Sequence, residues 1–115
     1  MVGAILRGEV RWGNLDPVVG HEQTGRRPVL IVQNDAGNAA SPTVIVAAIT
    51  SRRPRRDYPF LVTLPMGTLP VPSVVNCSQI RTVDKSRLSA EPIGRLDLET
   101  MAAVDGALRV SLGLY

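Results

Sequence analysis

The sequence predicts a mainly β, α+β domain closed by a C-terminal helix, on three observations. Apolar residues alternate in short segments through the first two-thirds of its 115 residues. Clusters of Gly, Pro, Asn and Asp punctuate those segments. Near the C-terminus the apolar period lengthens from two residues to about 3.6. Short strands so spaced suggest a sandwich or a small barrel.

Val10, Trp12 and Leu15 mark a first strand from about Glu9. Arg27 to Asn34 is a second, rich in Val, Leu and Ile, ending in the turn-like Asn34-Asp35-Ala36-Gly37-Asn38. Thr43 to Thr50 is a third, apolar on both faces and therefore central. Phe60 to Leu64 alternates after Pro59, and Val74 to Val83 supplies one or two further strands. Asp84 to Leu88 suits one short helical turn before a return strand near Ile93. Asp97 then caps a helix with Glu99 in its positive first turn. Met101, Val104, Leu108 and Leu112 recur at helical spacing, and Gly113 is a stop. Gly106 inside this helix costs roughly 1 kcal/mol against alanine, which a close packing contact there would explain. No repeat, low-complexity stretch or linker interrupts the chain, so residues 1–115 read as one domain.

Hydrophobic residues make up 44%, enough for a core without staples. One cysteine, Cys77, excludes an internal disulfide, and with a single histidine a zinc site is not expected. Cys77 itself reads as a small core residue. The longest aliphatic run, Val44 to Ile49, is far short of the ~20 residues that cross a bilayer. No signal peptide is recognisable, and a reducing cytoplasm is expected. The net charge is +3, and the excess is N-terminal: residues 1–56 carry eight arginines against four acids. Such a surface suits nucleic acid or an acidic peptide, although GC-rich coding also raises arginine content.

The chemistry concentrates between the first two strands, at Asp16-Pro17-Val18-Val19-Gly20-His21-Glu22-Gln23-Thr24-Gly25-Arg26-Arg27. Arg27 begins the second strand and Thr50 ends the third. Antiparallel pairing would set them side by side at one rim of the sheet, under the Glu22 loop. A permanent cation, a hydroxyl and a carboxylate suit phosphoryl chemistry on RNA, where the substrate's own 2′-hydroxyl attacks. Taken singly, a strand-end arginine or threonine is ordinary surface. His21 is an exposed loop histidine or a substrate contact. Arg52-Arg53-Pro54-Arg55-Arg56 places four cations beside Thr50, able to hold several phosphates or simply solvated. Gln79, Arg81 and Asp84, placed after the fifth strand, could read base edges or phosphates. Trp12, Tyr58 and Phe60 could stack bases, although Trp12 and Phe60 are read first as core.

Five blocks in order resemble the MazF/PemK (Kid) ribonuclease toxins of bacterial toxin–antitoxin pairs. Gly8-Glu9-Val10 with Trp12 is similar to the family's opening "RGD(V/I)", and Asp16 to Gln23 to its "DPxxGSEQ" loop. Arg27 to Asp35 matches "RPVLVIQND", Ser41 to Thr50 matches "SPTxIVAxIT", and Gln79 to Leu88 matches "QIRTIDKxRL". The resemblance implies an SH3-like β-barrel (CcdB/PemK-like) with a C-terminal helix, assembled as a homodimer. It implies a metal-independent, cofactor-free, sequence-specific endoribonuclease acting on single-stranded RNA, leaving a 2′,3′-cyclic phosphate and a 5′-hydroxyl. A MazE-like antitoxin with an acidic tail would block the RNA groove. The family's catalytic residues fall on Arg27 and Thr50, with Glu22 as the loop carboxylate. RNA contacts are expected from His21, Gln23, Ser51, Arg52, Arg53, Gln79 and Arg81.

The chain departs from the pattern at Glu9 for aspartate, His21 for serine and Cys77-Ser78 ahead of Gln79, and Arg52 to Pro72 matches poorly. The alternative from a different class is a CcdB-like gyrase poison acting by binding. The ending Leu112-Gly113-Leu114-Tyr115 lacks the tryptophan such poisons carry. A catalytically dead RNA-binding regulator would need neither Arg27 nor Thr50.

Overall fold

The computed structural model describes residues 4–22, 25–52 and 55–114. Six antiparallel strands form one curled sheet: β1 (Glu9–Asn14), β2 (Arg26–Ile31), β3 (Thr43–Thr50), β4 (Leu61–Thr63), β5 (Val74–Asp84) and β6 (Gly94–Arg95). Their spatial order is β4-β5-β3-β2-β1-β6, so the two-sided apolar strand β3 is interior, as its composition requires. Two helices are inserted, α1 (Asp35–Ala40) and α2 (Leu98–Leu112), with a 3₁₀ turn at Lys85–Arg87.

Period-two alternation sorts the side chains into two cores. Leu30, Ala47, Ile49, Val75 and Cys77 face α2, where Met101, Val104 and Ala107 cover them. Val29, Ile31, Val44, Val46, Ala48 and Val83 pack on the opposite face with Ile5, Leu15 and Leu88. Cys77 is fully buried, and loss of hydration pushes its thiol up to about 11.

Four expectations need correction. Residues 34–38 form not a bare turn but the start of α1. The Asn34 side chain accepts from the Gly37 N–H, while buried Asn38 bonds to Gln33 and Asp35. The buried stripe on α2 runs through Met101, Val104 and Ala107, with Leu108 half-buried beside it, and ends before Leu112, which is exposed. Gly106 marks no close contact: a Cβ there would meet nothing within 4 Å. Trp12 is not core but 37% exposed, lining a cleft with the Arg26 guanidinium over its ring. Phe60 does pack against the core, half-buried.

Three carboxylates accept backbone N–H bonds, one across the fold and two as helix caps. Asp35 accepts from the Arg7 N–H, Asp84 from Ser86 and Asp97 from Thr100, at 2.7, 2.8 and 2.7 Å. These bonds stabilise the charged forms: the Arg7 N–H lowers Asp35, and the side chain and N–H of Ser86 and of Thr100 lower Asp84 and Asp97. Folded values below the unfolded ones give stability that is present above about pH 4 and lost as pH falls through the folded values. Thermal melts from about pH 5 to about pH 2 should therefore show a falling Tm. Asp97→Asn, which keeps the cap and removes the titration, should blunt that fall.

Candidate active site

β2 and β3 pair with Val29 opposite Ala48 and Leu30 opposite Ala47. The same register carried two residues outward sets Arg27 opposite Thr50. The Arg27 Nη1 donates to the Ile49 carbonyl at 3.5 Å, which holds the guanidinium at the strand end. Thr50 is fixed by the turn after β3: its Oγ1 accepts from the Arg52 N–H at 3.1 Å. A hydroxyl has one proton and two lone pairs, so this bond leaves the Thr50 proton to donate outward.

Both side chains line a cleft of about 600 Å³ together with Glu22, Arg26, Ser51 and Arg52. Three guanidinium groups against one carboxylate make it an anion site, and arginine's fork suits phosphate. Trp12 forms another wall. The Arg26 guanidinium carbon lies 5.4 Å from the Trp12 ring centroid, a cation–π contact that orients both.

The loop that brings Glu22 over the rim is closed at its base. The Asp16 carboxylate accepts from the Gly25 N–H at 2.9 Å, and the Leu15 N–H donates to the Gly25 carbonyl at 3.0 Å. Gly20 and Gly25 occupy the left-handed region at φ +61° and +73°, which side chains resist. Arg81 donates to the Leu15 carbonyl and Arg87 to the Asn14 and Asp16 carbonyls, anchoring the loop from below. The Glu22 carboxylate accepts from the Val19 N–H at 3.2 Å.

Glu22 also borders a second cleft, of about 300 Å³, lined by Ser78, Gln79 and Arg81. Gln79 and Arg81 lie within β5, not after it. The β3–β5 register jumps from Ala47 opposite Ile80 to Ala48 opposite Asn76, leaving residues 77–79 as a bulge. Such a bulge re-aims side chains next to a site, which turns Ser78 and Gln79 toward the rim. Asp84 lies away from the rim, capping the 3₁₀ turn. His21 lines a third cleft, which shares Thr50 and Arg52 with the first. The structure thus gathers Arg27, Thr50, Glu22, Ser51 and Arg52 in one cleft, with His21, Gln79 and Arg81 in the adjoining two. The expectations for Gln23 and Arg53 lie outside the described residues. Among the described residues no three His, Cys, Asp or Glu side chains gather as a metal-ligand set.

Residues 6–112 match the family model described as "PemK-like, MazF-like toxin of type II toxin-antitoxin system". This chain belongs to the PemK/MazF toxin family. Within that family it is 47% identical over 112 residues to endoribonuclease EndoA of Bacillus subtilis (strain 168), covering 96% of each chain. The PemK/MazF fold is shared with crystalline MazF of Deinococcus radiodurans, at a TM-score of 0.83 and 37% identity over 96% of this chain and 98% of that one. A mycobacterial endoribonuclease solved in complex with its cognate antitoxin matches at TM-score 0.82 and 31% identity, over 97% and 98% of the two chains. These matches favour the PemK/MazF toxins over the gyrase-poison alternative. Sequence reasoning named Arg81 as an RNA contact and Trp12 as core or a base-stacking residue, but it missed Arg87 and the anchoring of the loop by both arginines. The backbone carbonyls that the two arginines grip leave no sequence signal.

Proposed function

We propose that this toxin is a metal-independent endoribonuclease that cleaves single-stranded RNA by internal transesterification, working in the cytoplasm as a homodimer held in check by a MazE-like antitoxin. The observation that carries it is the convergence of Arg27 and Thr50 on one cationic cleft beneath Glu22. The substrate's 2′-oxygen forms a bond to phosphorus and the P–O5′ bond breaks, giving a 2′,3′-cyclic phosphate and a 5′-hydroxyl. Arg27 binds the phosphate, stabilises the added negative charge and hydrogen-bonds the departing 5′-oxygen, which takes its proton from solvent water. Thr50 donates to a non-bridging oxygen. Glu22 is the group chemically suited to accept the 2′-proton, because a guanidinium holds its proton at neutral pH and is a poor base. An acidic antitoxin tail would compete for the same cations. The 47% identity to a named endoribonuclease supports this reading.

The test is a long defined RNA incubated with the protein in excess EDTA. Discrete fragments with 5′-hydroxyl and cyclic-phosphate ends are expected. Intact RNA in EDTA that is cut on adding a divalent metal would overturn the mechanism, and intact RNA with blocked gyrase supercoiling would favour a poison.

A further inference from the structure

We propose that Tyr58 and Phe60 are the stacking platform of a nucleobase subsite beside the scissile phosphate, with Asn76 as the donor that reads the base edge. The proposal rests on the ribonuclease reading above. The cleft that holds His21 measures about 970 Å³ and borders the active cleft through Thr50 and Arg52, so a nucleotide in it lies next to the reacting phosphate. Tyr58 and Phe60 stack at 5.0 Å between centroids and 9° between planes. Phe60 is seated on the core, while Tyr58 stays 44% exposed on the cleft side. A rigid aromatic pair set in a wall with Arg52 and Arg55 is a poor solvent surface but a good one for a base and its phosphate.

Beside the platform, on the strand that pairs with Leu61, the Asn76 Oδ1 accepts from the Ser78 N–H at 3.0 Å and from the Ser78 Oγ at 2.6 Å. The Ser78 N–H only donates, so the atom it meets must be the amide oxygen, which leaves Nδ2–H₂ as the donor end of Asn76. Stacking tolerates any base. The Asn76 donor selects one that turns a carbonyl or ring-nitrogen acceptor toward it. Asn76, paired with Ala48 on one side and Leu61 on the other, borders the β5 bulge, and Ser78 lies within it, released from pairing with β3.

The experiment uses the intact protein on its preferred RNA, found by sequencing the 5′ ends it generates. Companion RNAs carry an abasic ribose on either side of the cut. The parent protein should lose about tenfold in kcat/KM on one abasic RNA, in line with the stacking cost per base. Tyr58→Ala should lose about the same on intact RNA and nothing further on that abasic RNA, while Tyr58→Phe keeps the parent rate. Asn76→Asp, which still accepts from Ser78, should relax the preference at that one position. The subsite is overturned if the parent cuts both abasic RNAs within about twofold of the intact one. It is also overturned if the Tyr58→Ala deficit persists unchanged on the abasic RNA, the mark of a structural role. The abasic comparison on the parent decides the matter even if Tyr58→Ala fails to fold. If the parent cuts no RNA, the ribonuclease reading falls and the subsite with it; cutting with no abasic penalty removes the subsite alone.

Discussion

Arg27→Ala is expected to lower RNA cleavage by about 10³-fold in a protein that folds and melts like the parent. Removing one preorganised donor from a transition-state site costs about 10²–10³ in rate, and here the donor also carries a full positive charge. Arg27 is held at the strand end by the Ile49 carbonyl, and the register carried outward from Val29–Ala48 sets it opposite Thr50. Arg26 is committed to the face of Trp12. Arg27→Lys should restore part of the rate, since the charge returns without the fork. Thr50→Val, which keeps the shape and deletes the hydroxyl, should cost less, about 10- to 100-fold. Single-turnover cleavage of one labelled RNA, with folding checked by circular dichroism, measures all three. Cleavage by Arg27→Ala within tenfold of the parent would refute the assignment.

Thr50 and Arg27 were legible because their positions follow from where strands begin and end. Alternation locates β2 and β3, antiparallel pairing sets start beside finish, and the rim follows without any side-chain geometry. Strand β3, apolar on both faces, announced its interior place for the same reason. What escaped the sequence depends on partners distant along the chain. Six residues with Gly37 and Asn38 among them have little helical propensity, yet α1 forms because Asn34 caps it and Asn38 is buried against Gln33. The β5 bulge follows from how two curved strands meet, and the string Cys77-Ser78-Gln79 carries no mark of it. Trp12 reads as core by hydrophobicity, but it lines the cleft, where the Arg26 guanidinium rather than an apolar neighbour covers its ring. Gly106 invited a packing explanation that open space denies.

Arg11 carries the largest expected effect on stability. It sits in β1 with a side chain 1% exposed, 3.0 Å from the Glu9 carboxylate, whose side chain is 9% exposed. Its remaining protons go to the Ser89, Ala90 and Ala4 carbonyls at 3.0, 2.8 and 3.0 Å, while Glu9 also accepts from the Leu6 N–H at 2.9 Å. The alternation that marks β1 points to Val10 and Trp12 and gives no sign that the charged residues flanking Val10 are buried. Arg11→Ala leaves a buried carboxylate without its cation and three carbonyls without a donor, and should cost about 3–5 kcal/mol in urea unfolding. That is a large part of a small domain's stability of about 5–15 kcal/mol. Replacing both partners, as in Glu9→Leu with Arg11→Met, removes the charges together and should cost less than Arg11→Ala alone, the remaining cost being the three carbonyls and the Leu6 N–H left unpaired. Gly13 of the same strand pairs with Arg27, so a loosened β1 also loosens the rim. Activity of Arg11→Ala should therefore fall in step with the unfolded fraction on warming and return on cooling, whereas Arg27→Ala stays inactive at every temperature. A penalty below about 1 kcal/mol for Arg11→Ala would mean that water reaches Glu9 and that the pair is not a buried one.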